Sequence, residues 1–309
     1  MRSLTTYFSE PSLIQQIYAL DQRVGHTPIV QITKMFHKKN VSLYAKKEWV
    51  QLSGSIKARA AYNIIRRAIE TGELTRSKIL LDATSGNTGI AYATIAGLLN
   101  IHVTLCLPEN ASQKRKDILE SLGANLILTS RFEGTDGAQH RAKEISIQDP
   151  TKFYYADQYR NDNNWKAHYL STAPEIIEAL PGITHFVVGL GTTGTFTGAG
   201  RKLKLYNPNI KLVSLQPDTA MHGLEGWKHL DTALVPAIYD PYLADENMEI
   251  STEDAMEIIP AAMKHEGLFL SPSSAANLAG AMRVAEKLDE GIVVTVLPDN
   301  GDKYGNIKD

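Results

Sequence analysis

Short continuous apolar runs alternate along the chain with longer stretches in which apolar positions recur every three or four residues. The runs at 77–83 (SKILLDA), 101–107, 124–128, 184–188, 211–215 and 292–297 predict buried strands. The amphipathic segments 58–71, 137–147, 170–180, 252–266 and 275–288 predict helices between them. Two more helices follow strands directly, over 90–99 and over 112–122, the second ended by Gly123. Apolar strands that alternate with helices point to parallel sheets covered on both faces. The strands fall into two groups, roughly 78–128 and 184–297, and the run 41–47 (VSLYAKK) would complete the second. The pattern therefore predicts two α/β domains, with the chain beginning in the larger before building the smaller.

Composition narrows the classes of function. The 309 residues carry 32 Lys and Arg against 34 Asp and Glu, a net charge of −2, so no global positive field is available for nucleic acid or an anionic membrane. A single cysteine, Cys106, excludes an internal disulfide framework and any cysteine-based zinc or iron–sulfur site, and suits a reducing cytoplasm. Within an apolar strand it reads as a buried structural thiol. The N-terminal stretch lacks the apolar core of a signal peptide, and no run approaches the length of a membrane span.

Ligands of open α/β sheets bind beyond the carboxyl ends of strands, and three segments fit such places. The segment 189–200 (GLGTTGTFTGAG) holds five glycines, and its backbone amides and threonine hydroxyls suit a phosphate cradle or, more plainly, a glycine-rich packing turn. Gly189, Gly191 and Gly194 also match the dinucleotide fingerprint, whose acidic partner would be Asp218, although Pro217 intervenes after the strand. The segment 84–89 (TSGNTG) presents free amides at a helix start that suit a carboxylate, or makes an ordinary turn. In 53–59 (SGSIKAR), Lys57 stands at the first turn of an apolar helix, where the macrodipole disfavours its charge and keeps the amine nucleophilic. A candidate imine lysine, a carboxylate turn and a separate phosphate cradle together are what pyridoxal phosphate chemistry on an amino acid needs, and a dehydrogenase does not need the first two.

From Gly25-His26-Thr27-Pro28 to Tyr304 the chain resembles the cysteine synthases (O-acetylserine sulfhydrylases), fold-type-II pyridoxal phosphate enzymes. SGSIKAR is similar to the family's S-x-K-x-R motif, TSGNTG is identical to its substrate loop, and GTTGT resembles its phosphate loop. The resemblance implies two three-layer α/β/α domains of tryptophan-synthase-β-like architecture with the active site between them. It implies an N-terminal arm and part of the large domain over 1–47, a smaller mobile substrate-binding domain over 48–155, and a large phosphate-binding domain over 156–309. Lys57 would be the Schiff-base residue; Asn87 would bond the cofactor's ring hydroxyl; Gly191, Thr192, Thr193, Gly194 and Thr195 would hold its phosphate. Thr84, Ser85, Thr88 and Gln158 would hold the substrate carboxylate, and Gly226 would line the site. No metal is implied. Segments 183–195 and 235–241 look closer to the B-type synthases.

The implied reaction is β-replacement on an O-activated L-serine, O-acetylserine or O-phosphoserine, by a sulfur nucleophile through an α-aminoacrylate to give L-cysteine. Alternatives are a different nucleophile (a diamino-acid synthase), a serine/threonine deaminase, or a catalytically quiet cofactor-binding protein that docks a C-terminal peptide. Implied partners are the amino-acid substrate and sulfur donor, a serine acetyltransferase C-terminus or a sulfur-carrier protein, and a second copy in a homodimer. Two departures touch the pocket. Ser271-Pro272-Ser273-Ser274-Ala275-Ala276 replaces the usual Gly-Ile-Ser-Ser-Gly-Ala, and Asn300 stands where a serine usually faces the pyridine nitrogen. An amide can still donate there. Lys114-Arg115-Lys116 reads as a solvated helix face, and Trp227 and His229 as cleft or core residues.

Overall fold

The computed structural model describes residues 11–84 and 86–304. Its strands form two sheets, and their order explains where the loops of interest converge. The larger sheet runs β1 (Ile29–Ile32), β2 (Val41–Lys47), β10 (Gly291–Leu297), β7 (His185–Gly189), β8 (Lys211–Pro217) and β9 (Glu246–Ile250). All its pairings are parallel except β1 with β2. The smaller runs β5 (Asn125–Thr129), β4 (Val103–Pro108), β3 (Ile79–Ala83) and β6 (Phe153–Tyr155), parallel throughout. The register of β2 on β10, Val41 opposite Gly291 and Lys47 opposite Leu297, places the 41–47 run in the larger sheet as its pattern predicts.

Alternation of side chains puts each sheet between two apolar layers. In the larger sheet Val187, Val213, Val293 and Leu297 pack toward α9 (Thr252–Glu266) and α10 (Pro272–Lys287), while Phe186, Val188, Leu212 and Val294 pack toward α7 (Ala173–Ala179) and α8 (Gly194–Tyr206). In the smaller, Leu80 and Leu105 meet α2 (Lys57–Glu70) and α3 (Asn87–Leu98) on one face. Leu81, Ala83 and Cys106 meet α5 (Gly134–Gln148) on the other. Cys106 is fully buried, and burial pushes its thiol up to about 11, consistent with a structural role.

Three local features depart from the sequence pattern. Ile17 of α1 (Leu13–Tyr18), followed by Leu20, joins the core of the smaller sheet, so the described chain starts there and not in the larger unit. The helix expected over 170–180 is a π-turn, His168–Thr172, leading into α7, whose Pro174 lacks the N–H that would continue a regular helix. The strands β1, β6 and β9 and the helix α6 (Asp162–Ala167) are short, and β9 buries only Ile250, leaving too little periodicity to read. Among the described residues no helix is long and apolar enough to cross a membrane.

Candidate active site

The ends of β3, β7 and β10 and the start of α2 open onto one cleft of about 120 Å³. It brings together Lys57, Thr84, Asn87, Thr88, Gln158, Gly191, Thr192, Thr193, Thr195 and Gly226. Ser85 falls outside the described residues.

Lys57 is the first residue of α2. The turn before it carries Ser53 and Gly54 at φ 64° and 63°, pinned by Lys303 Nζ, which donates to their carbonyls at 2.8 and 2.9 Å. Burial lowers the Lys57 ammonium below its usual value, opposed by the charge of Asp299. The helix start was visible in the sequence; the burial, which is the largest cause, was not.

Two residues along α2, Arg59 anchors that helix from behind the cleft. Its guanidinium donates to Glu48 Oε2 at 2.7 Å and Oε1 at 2.9 Å, and to both Glu175 oxygens at 2.7 Å. Lys46 Nζ completes the cluster at 2.6 Å from Glu175 Oε2. Burial alone would raise the Glu175 carboxyl, but the bonds and charge of Arg59, with Lys46, hold it down at about 2.

At the start of α3, Thr84 Oγ1 accepts from the amides of Gly86 and Gly89 at 3.1 and 3.2 Å and so shapes the turn. Thr88 Oγ1 donates to Gln158 Oε1 at 2.7 Å, and Gln158 Nε2 donates to the Ala83 carbonyl at 2.7 Å. Gln158 thus reaches the helix start from 70 residues away in sequence. Its own amide approaches Asp82 Oδ2 at 3.3 Å. Burial raises the Asp82 carboxyl to about 8, with the Ala83 amide and Tyr92 opposing. The folded state therefore keeps this proton up to about pH 8, while an unfolded chain loses it near pH 4. Stability should fall as pH rises through that window. Thermal unfolding followed from pH 5 to 9 should show that decline, and Asp82→Asn should flatten it. An unchanged slope would contradict the assignment.

The glycine-rich segment follows β7 and enters α8 through Thr193 at φ 69°. Glycine is required where neighbours come close. A Cβ on Gly191 would lie 2.1 Å from the Gly226 carbonyl oxygen, and one on Gly194 2.0 Å from Asn164 Oδ1. Gly194 therefore packs at the helix start and does not line the cleft. Thr192 Oγ1 accepts from Asn164 Nδ2 at 3.1 Å. Thr195 Oγ1 meets His168 Nε2 at 3.4 Å. Burial, Arg59 and Lys57 hold His168 well below the usual value, so its ring is neutral at neutral pH. Thr193 Oγ1 is buried and has no hydrogen-bond partner among the described residues. The dinucleotide reading fails on geometry. Gly189 makes room for Trp227, whose ring would lie 2.1 Å from an added Cβ, and Asp218 is exposed away from the cleft.

One expected site residue is displaced. Asn300 turns away from the cleft and donates to Asp302 Oδ2 at 2.5 Å, while its backbone bridges to Leu270. Consecutive residues at a strand end point to opposite sides, and Asp299 takes the inward place, fully buried. Ser273, at the start of α10, puts a hydroxyl on the cleft instead. The reading of 114–116 as a solvated face also fails at Arg115. On α4 (Gln113–Ser121) it is buried, stacks over the Tyr304 ring, pairs with Glu225 and lines the cleft. Lys228 faces it from the larger unit, 3.1 Å from Asp136 of α5. Trp227 serves both core and cleft, while His229 bonds Thr232 outside it. A helical charge run gives no signal for which of its members turns inward; only the packing of α4 decides.

The model of the family described as "Pyridoxal-phosphate dependent enzyme" matches residues 20–299. A cysteine synthase of Aquifex aeolicus is 42% identical over 289 residues, 91% of this chain and 88% of that protein. Cysteine synthase B of Escherichia coli is 37% identical, covering 92% of this chain and 93% of its own. The crystal structure of an O-acetylserine-dependent cystathionine β-synthase from Helicobacter pylori superposes with a TM-score of 0.87 at 31% identity, over 94% of this chain and 98% of that one. With the lysine, the glycine-rich cradle and the helix start gathered in one cleft, the chain belongs to the pyridoxal-phosphate-dependent enzymes of the cysteine synthase family.

Proposed function

We propose that this protein is a cysteine synthase, joining a sulfur nucleophile to Cβ of an O-activated L-serine with loss of the O-linked group. The observation that carries the reading is the placement of one buried, charge-disfavoured amine, Lys57, between two separate anion sites. The cleft fits pyridoxal phosphate. The unpartnered Thr193 hydroxyl and the backbone amides at the start of α8 suit its phosphate, and Lys57 suits covalent attachment. Asn87 and Ser273 remain for the ring's oxygen and nitrogen, Ser273 taking the place expected of Asn300. When bound, the cofactor supplies an electron sink for the carbanion formed at the substrate's Cα.

The chain's residues do the rest. The amides at the start of α3, with Thr84, Thr88 and Gln158, take the substrate carboxylate, using the partial positive charge of the helix end. That capture orients the Cα–H toward Lys57 Nζ, which accepts the proton because burial favours its neutral form. Arg115–Glu225 and Asp136–Lys228 span the cleft between the two units and exclude water while the Cβ position is reactive. Motion of the 48–155 unit, a homodimer, docking of a serine acetyltransferase C-terminus or a sulfur-carrier protein, and a cytoplasmic location belong to the same proposal and rest on the family likeness.

Purified protein loaded with cofactor should convert O-acetylserine or O-phosphoserine plus sulfide to cysteine. Pyruvate formed without cysteine in the presence of sulfide would overturn the assignment in favour of a deaminase.

A further inference from the structure

The two anion sites of the cleft are joined by a side chain that no sequence motif marks. Asn164 of α6 is buried and does not line the cleft, yet it stands between Gln158 and the glycine-rich cradle. Its Nδ2 donates to the Gln158 carbonyl at 2.7 Å and to Thr192 Oγ1 at 3.1 Å. The neighbouring backbone ties in the lysine helix, because the Asn163 carbonyl accepts from Asn63 Nδ2 of α2 at 2.7 Å. The turn that carries Gln158 is anchored to the end of β6 by Asn161 Nδ2, which donates to the Ala156 carbonyl at 2.9 Å.

The donors and acceptors present fix the direction of each bond. Both Nδ2 protons of Asn164 are committed, one to each acceptor. A flipped amide would set Oδ1 against the Gln158 carbonyl, oxygen facing oxygen, so only one orientation survives. Oδ1 then lies over Gly194, where an added Cβ would come within 2.0 Å of it. Thr192 Oγ1 accepts from Asn164 and also from the Gly194 amide at 3.4 Å, which engages both its lone pairs. Its own proton has no acceptor among the described residues and is left for the cleft that Thr192 lines. Gln158 is held at every polar group. Its amide reaches Asp82, its carbonyl Asn164, its Oε1 the Thr88 hydroxyl and its Nε2 the Ala83 carbonyl. The second Nε2 proton remains to meet an anion.

We propose that Asn164 is a positioning residue that locks the carboxylate site to the phosphate cradle: one amide proton holds Gln158 in place, and the other turns the Thr192 hydroxyl into a donor to the cofactor's phosphate. The inference rests on the cofactor reading of the cleft and deepens it, since it makes the two anion sites parts of one hydrogen-bonded unit. Asn164 acts through Gln158 and Thr192 and touches neither anion. A hydroxyl aimed at a phosphate oxygen makes a charge-assisted bond, so the direction of the Thr192 proton matters. The link runs from the end of β6 in the smaller sheet to the loop after β7 in the larger. Substrate carboxylate and cofactor phosphate must be engaged at the same time, and this amide fixes the distance between the groups that hold them.

The test uses the full chain and two matched pairs of ligands. Pyridoxal phosphate is compared with pyridoxal, which lacks the phosphate, by equilibrium binding. L-alanine, which has no leaving group to lose, is compared with L-alaninamide, which lacks the carboxylate, by the absorbance change of the loaded protein. Asn164→Ala should weaken pyridoxal phosphate and L-alanine by about tenfold each, with pyridoxal and L-alaninamide changed less than about threefold. Thr192→Val removes a hydroxyl at a half-buried position, so it answers the phosphate half even if Asn164→Ala folds poorly, and it should weaken pyridoxal phosphate but not L-alanine. In the double variant the two losses of cofactor affinity should fall short of multiplying, because both substitutions break one link. A loss confined to one site in Asn164→Ala, equal losses for pyridoxal and L-alaninamide, multiplying losses in the double variant, or unchanged cofactor affinity in Thr192→Val would overturn the proposal while leaving Lys57-bound cofactor intact. Failure of the cofactor to attach to Lys57 in the wild type would instead refute the functional reading, and this inference with it.

Discussion

Lys57→Ala should abolish turnover while leaving the fold intact. In the proposed function the side chain has two tasks, to hold the cofactor covalently and to take the Cα proton, and alanine removes both. Loss of general-base catalysis alone is worth about 10²–10⁴ in rate. Stability should not suffer, because burial already disfavours the ammonium and its removal takes an unfavourable charge out of the interior. The measurements are the initial rate of cysteine formation, the visible absorbance of lysine-bound cofactor, and the urea midpoint. A variant that retains the absorbance band, or turns over within tenfold of the wild type, would refute the role of Lys57. Lys57→Arg, which keeps a positive charge but cannot form the attachment, should fail equally and so separates chemistry from electrostatics.

Arg59→Met should produce the largest loss of stability. The guanidinium is 1% exposed and bridges Glu48, 0% exposed, to Glu175, tying the loop after β2, α2 and α7 together. Removing one partner of a buried pair costs about 3–5 kcal/mol, mainly because the other charge is left uncompensated. Here two carboxylates would be stranded, with Lys46 neutralising only one. Glu175, held near 2 by Arg59 and Lys46, would return toward the ordinary range, so stability would fall less steeply as pH drops from about 4.5 to about 2. Unfolding in urea at several pH values reads both effects. The double substitution Arg59→Met with Glu48→Gln should recover part of the loss, and no recovery would mean that packing, not charge, carries the cluster.

The same site shows how far sequence reasoning reaches. Lys57, TSGNTG and the glycine-rich loop were legible because each is a local signal: a residue type at a helix start or a turn at a strand end. Gln158 and Gly226 were legible only through the family resemblance. Ser273 and Asp299 were missed because two adjacent positions, 299 and 300, compete for the inward direction, and which one wins depends on how β10 ends against α10. Arg115 was missed for a related reason. A run of three basic residues on one helix looks solvated until the facing loop with Glu225 and the Tyr304 ring are placed beside it.

By itself, the sequence determined the two parallel-rich sheets, through apolar runs whose alternation buries both faces, and it singled out Lys57 as the candidate amine. It also showed that three anion- or amine-bearing turns exist. Only the tertiary structure decided that these turns meet in one cleft, since they descend from strands of two different sheets. It also decided that the charge of Lys57 is disfavoured chiefly by burial, and that Asp299 gathers two hydroxyls and a side-chain amide at the floor of the cleft. Those are properties of distance between residues far apart in sequence, and hydrophobic periodicity carries no information about them.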